Sequence, residues 1–134
     1  MATEFQIDGN DFETLEEFYE AIDRGLDLNE WWGKNLDALD DIFRGGFGTP
    51  DDGFTLRWIN SQQSKTKLDY PETVRQLKSR LEQCHPESRA YVQQELELAQ
   101  SGKGPTIFDV LVEIIKDHGK GGGQANSNVT LILD

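Results

Sequence analysis

Apolar positions along this chain recur in two rhythms, and each rhythm predicts an element. In "DFETLEEFYEAIDRGL", Leu15, Phe18, Tyr19 and Ile22 sit at helical spacing, with Thr14 or Asp11 as cap and Gly25 as stop. The preceding "TEFQID" has the aromatic and β-branched content of a short strand, and "DGN" supplies turn residues behind it. A second helix is predicted from Leu36 to about Phe43, capped by Asn35 and closed by Gly45 and Gly46. "GFTLRWIN", bounded by Pro50 and Gly53, reads as a second strand, and "SQQSKTKL" as a short helical piece.

Residues 69–104 carry a different pattern. Val74, Leu77 and Leu81 form one apolar stripe, Pro86 restarts a helix at its first turn, and Tyr91, Val92 and Leu96 form the next stripe, which predicts a helical hairpin. "TIFDVLVEIIKDHG" then reads as a helix burying Phe108, Leu111, Val112 and Ile115. "GKGGGQANSN" reads as a flexible loop, and "VTLILD" as a final strand whose apolar run suits a buried parallel position. Strands alternating with helices predict an α/β domain with a small, mostly parallel sheet. At 134 residues the chain fits a single domain, 1–134.

A helical wheel of the second helix separates two arcs. Leu36, Leu39, Ile42 and Phe43 face the core, whereas Asp37, Asp40, Asp41 and Arg44 face outward. Asp37 and Asp41 are four apart and repel each other; Asp40 and Arg44, also four apart, attract. Asp40 and Asp41 lie toward the unfavourable end of the helix dipole, so this face is placed against local stability and suits a compensating cationic partner. An ordinary solvated acidic face is the competing reading. Just upstream, Trp31 and Trp32 precede Gly33 in "WWGKN". One indole is expected to staple onto the helix and be buried, and the other either to remain available as an aromatic anchor or to be buried as well.

Charge sharpens this picture. The net charge is −12, and residues 1–60 hold 15 acids against 4 bases, so the excess is concentrated in the first half. Such a surface repels nucleic acid and anionic lipid and attracts basic proteins. No apolar run approaches the length of a bilayer span, and the N-terminus has no secretory-signal pattern, so a cytoplasmic protein without membrane association is expected. The one cysteine, Cys84, cannot form an internal disulfide, in keeping with a reducing compartment.

"WWGKNLDALDD", "LRWINSQQSK" and "VTLILD" together resemble the barstar family, the intracellular protein inhibitors of the secreted ribonuclease barnase and its relatives. The resemblance covers residues 3–68 and 105–134, with Leu56, Trp58, Gln63, Ser64 and Lys65 among the matching positions. It implies a barstar-like fold, a small three-stranded parallel sheet packed with helices, plus an inserted helical hairpin at about 69–104. It also implies inhibition by plugging: Asp41 takes the place of a substrate phosphate and Asp37 is a second acidic contact. Trp31, Gly33 and Asn35 then lead into the contact surface, and Arg44, Gly45 and Gly46 close it. Three departures stand out. Asp40 occupies a position that is aromatic in barstar itself, an acidic contact on the last helix aligns with either Lys116 or Asp117, and the hairpin is additional. That hairpin, carrying Arg75, Lys78, Arg80 and Arg89, is open to three readings: a second contact surface, a lid, or tolerated decoration.

Other candidates carry less. Cys84 and His85 are adjacent and lack a catalytic motif, His118 at a helix end is accounted for by the dipole, and "GKGGG" lacks the Gly-Lys-Ser/Thr ending of a phosphate loop. Asp37, Asp40 and Asp41 on one convex face make a poor cage for a hard cation, so neither a metal nor another cofactor is expected. The sequence thus predicts a non-enzymatic inhibitor of a basic ribonuclease. The alternative is a barstar-like module or immunity protein whose partner is another basic toxin or a regulatory protein.

Overall fold

The computed structural model describes residues 3–28, 32–45, 48–50 and 52–134, apart from the side chain of Ala125. Three strands, β1 (Glu4–Asp8), β2 (Phe54–Ile59) and β3 (Val129–Leu133), form one parallel sheet in the order β1-β2-β3. Phe5 pairs with Leu56 and Ile7 with Trp58, while Phe54 and Leu56 pair with Val129 and Leu131. Helices α1 (Leu15–Gly25) and α2 (Leu36–Arg44) lie between β1 and β2 in sequence. Helices α3 (Ser61–Lys67), α4 (Tyr70–Gln83), α5 (Arg89–Gln100) and α6 (Ile107–Asp117) lie between β2 and β3. This is the expected α/β architecture with its helical hairpin.

Alternation along the strands assigns the two sheet faces. Ile7, Phe54, Leu56, Trp58 and Val129 point into the core, where they meet Leu15, Phe18, Tyr19 and Ile22 of α1, Leu39, Ile42 and Phe43 of α2, and Leu111 and Ile115 of α6. Aromatic rings fill the centre: Trp58 lies 5.3 Å from both Phe18 and Phe108, and 5.9 Å from Phe12. The indole of Trp58 donates to Ser64 Oγ at 2.9 Å, which explains why this tryptophan and this serine occur together. On the other face Glu4, Gln6, Thr130 and Asp134 are exposed, and Arg57 pairs across the strands with Glu4 at 3.2 Å and with Asp134.

Strand β3 is parallel but not buried as expected. It lies at the sheet edge with one face open, so Thr130 and Leu133 are exposed and Leu131 and Ile132 only half-buried. Its apolar run reflects β propensity more than enclosure.

The hairpin is tied to the body at its base. Glu72 is buried and accepts from the backbone N–H of Leu15 at 2.9 Å, from Arg75 Nε at 2.6 Å and from Gln76 Nε2 at 3.1 Å. Burial pushes the Glu72 carboxyl up, but these bonds outweigh it and hold the group below its ordinary value. Next to it, Thr73 Oγ1 accepts from the N–H of Ile107, so one turn of α4 caps the starts of both α1 and α6. Beyond this base the packing differs from the predicted stripes: Val74, Leu77 and Leu81 are half-buried and Tyr91 is 63% exposed. Val92, Leu96 and Ala99 supply the buried face of α5 instead.

Candidate partner-binding site

Helix α2 is packed against the core from behind. Asn35 caps it, its side-chain oxygen accepting from the N–H of Ala38 at 2.8 Å, and Leu39, Ile42 and Phe43 are buried. Phe43 stacks on Phe54 at 6.0 Å and lies 5.9 Å from the ring of His118. At the far end Gly45 adopts φ 115°, a region that disfavours a side chain, and its N–H bonds back to Ile42 at 3.2 Å.

The approach to the helix is also fixed. Trp32 is buried, edge-on to Tyr19 at 5.5 Å, with its indole N–H directed at Asp23 at 3.3 Å. Gly33 is exposed, and a side chain there would meet the Asn35 amide at 3.0 Å, so it protects the cap. Lys34 takes a left-handed backbone conformation and pairs with Glu20 at 2.8 Å. Trp31 and Gly46, the other two predicted contacts of this segment, lie outside the described residues.

The outward face divides the three aspartates into two kinds. Asp37 is exposed and bonds to no described residue, and the Asp41 side chain is 55% exposed with Arg44 Nη1 at 3.0 Å. Asp40 is drawn inward, its side chain only 26% exposed. It meets His118 Nε2 at 2.7 Å, Gln124 Nε2 at 3.0 Å and Arg44 Nη2 at 2.9 Å. His118 is fully buried and its Nδ1 meets Ser127 Oγ at 2.9 Å. With Asp40 ionised the carboxylate can only accept, so Nε2 carries the donated proton. This is more than the dipole interaction expected of His118.

Lys116 and Asp117, the two candidates on α6, differ in their surroundings. Asp117 accepts from Gln124 Nε2 at 3.0 Å and from the N–H of Gly123 at 2.8 Å, and these bonds hold its carboxyl below the ordinary value, helped by the nearby charges of His118 and Arg44. Lys116 is exposed and joins none of these bonds. Asp117 is therefore linked through Gln124 to Asp40 of α2. The joining residue, Gln124, comes from the glycine-rich segment that was expected to be a flexible loop. That segment carries backbone bonds of its own: Gln124 N–H to Asp117 O at 2.8 Å, Gly122 N–H to Gly119 O at 3.0 Å and Ser127 N–H to Gln124 O at 3.1 Å.

A two-layer α/β domain that presents acidic side chains from a helix clamped at both ends is the class these observations define. A family comparison gives the same answer: residues 2–99 match the barstar family, described as barnase inhibitor. The chain belongs to this family. It is also 39% identical over 62 residues to "Putative ribonuclease inhibitor YrdF" of Bacillus subtilis (strain 168), a match covering 46% of this chain. The match spans 65% of that relative, just under two thirds of its length. Among the described residues no helix is long and apolar enough to cross a membrane.

Proposed function

We propose that the protein inhibits a basic ribonuclease without catalysis of its own, by forming a one-to-one complex in which the outward face of α2 blocks the active site. The observation that carries this reading is the pair Asp37 and Asp41, both exposed and one helical turn apart on a helix whose other face is locked into the core. A ribonuclease presents Arg, Lys or His to a phosphodiester, and a fixed carboxylate satisfies those donors with charge-assisted hydrogen bonds. Because the apolar face of α2 is already packed into the core, little ordering of the helix opposes association. Trp31 and Gly33 before the helix, and Arg44, Gly45 and Gly46 at its end, complete the surface, and Asp117 extends it onto α6. Asp40 serves it from beneath.

Family membership and the inhibitor name of the B. subtilis relative support this reading. RNA cleavage by barnase-like ribonucleases, titrated with the protein, tests it. Activity of a cognate enzyme should fall linearly to zero at one equivalent. Undiminished cleavage across the panel at micromolar excess would reject the proposal.

A further inference from the structure

We propose that Arg44 is a specificity-determining residue of this surface: a cation clamped inside the acidic face, fitted to a ribonuclease that carries a carboxylate beside its phosphate-binding cations. The inference rests on the proposed inhibitory function and adds the selectivity within it.

The guanidinium of Arg44 is held at three points. Its Nε donates to Gln124 Oε1, its Nη1 to Asp41 at 3.0 Å, and its Nη2 lies 2.9 Å from Asp40. These acceptors are themselves fixed. Asp40 is anchored by the buried His118, and the Gln124 amide is oriented by Asp40 and Asp117, which both require its NH2 group. The reversed amide would turn its oxygen toward two carboxylates and its NH2 toward the guanidinium. Five N–H donors with three committed leave one on each terminal nitrogen, and the side chain is 56% exposed. Arg44 thus keeps one uncommitted N–H on each terminal nitrogen of a planar group that is already in place, and can donate them to a carboxylate.

The surface is consequently patterned, not uniformly negative. Against a uniformly basic active site, Arg44 would sit among like charges, and its removal would strengthen binding. Against an active site that also carries an acid, Arg44 gains a partner, and its removal weakens binding. The two cases have opposite signs, and a misplaced charge of this kind is an effective way to reject wrong partners.

Arg44→Ala, checked for folding by circular dichroism, should be compared with wild type by stopped-flow kinetics and calorimetry against a panel of barnase-like ribonucleases. For a ribonuclease that wild type binds, the variant is expected to bind at least tenfold more weakly, through faster dissociation. Replacing the active-site carboxylates of that ribonuclease one at a time by their amides should reveal one whose loss is non-additive with Arg44→Ala. Equal or tighter binding by Arg44→Ala overturns the inference and leaves the inhibitory function intact. Weaker binding without coupling to any carboxylate also overturns it, because Arg44 would then act only by orienting Asp41. If wild type binds none of the panel, the inhibitory function fails and this inference fails with it.

Discussion

Glu72→Ala should destabilise the protein by about 1–4 kcal/mol, more than an ordinary surface substitution in the hairpin. The magnitude follows from what the carboxylate touches. Its loss strands the buried N–H of Leu15 at the start of α1, and an unsatisfied buried donor costs about 1–3 kcal/mol. It also removes an anionic cap from the positive end of that helix, worth about 0.3–1 kcal/mol. The Arg75 pair adds little, because Arg75 is half exposed and keeps Glu16 at 2.6 Å. Glu16→Gln is the matched control: it breaks an exposed ion pair, and a change of at most ~1 kcal/mol is expected. Urea unfolding of both variants measures the difference, and the Tm should move by roughly 3 °C per kcal/mol for a domain of this size. Its pH dependence gives a second check with a definite sign. The Glu72 carboxyl is held below its ordinary value of 4.5, so its ionised form stabilises the fold fully above about that pH. The contribution is lost as pH falls through the lower, folded-state value. Wild type and Glu72→Gln should therefore differ by a constant amount from pH 6 to 8 and converge on acidification. Loss of less than ~0.5 kcal/mol in Glu72→Ala, or a difference that grows with acid, would show that the hairpin is not anchored in this way.

The remaining predictions concern the α2 surface. Asp41→Ala should leave the circular dichroism spectrum unchanged and weaken binding to a cognate ribonuclease by about 2 kcal/mol or more, on a scale of hot-spot energies set in part by the barnase–barstar complex itself; calorimetry reads the change, and unaltered affinity would refute the residue's role. Raising salt should slow association far more than it speeds dissociation, because charge steering is screened over about 10 Å at 0.1 M; stopped-flow mixing with a salt-independent association rate would contradict it. Asn35→Ala removes the cap of α2 and should lower stability by about 1 kcal/mol in urea unfolding, whereas Asn35→Asp should retain most of it.

Much of this architecture is legible in the sequence where structure is local. The apolar positions of α1 and α2 and the Asn35 cap follow from spacing, because an amphipathic helix records its environment every three or four residues. Strand β3 misleads because five apolar and β-branched residues read the same at an edge as at the centre. Tyr91 misleads because a two-helix hairpin encloses only a narrow stripe, and the ring falls outside it. The site is half legible. Asp37 and Asp41 are visible on a helical wheel, but the inward pull on Asp40 comes from His118 and Gln124, some 80 positions away. No periodicity connects such residues. A histidine closing an apolar helix, followed by glycines and then Gln124 and Ser127, is the trace the sequence leaves, and tertiary packing of α6 and β3 brings it beside α2.

The central claim is that the acidic face of α2 binds a ribonuclease, and one calorimetric titration tests it most directly. Wild type and Asp37→Asn/Asp41→Asn are titrated side by side into barnase-like ribonucleases, including any encoded beside this protein. The account predicts stoichiometric, tight binding by wild type to a cognate enzyme and a loss of at least a hundredfold in the double variant, about 2.7 kcal/mol. Equal affinity of the two proteins for the same ribonuclease would place the interface elsewhere and contradict the account.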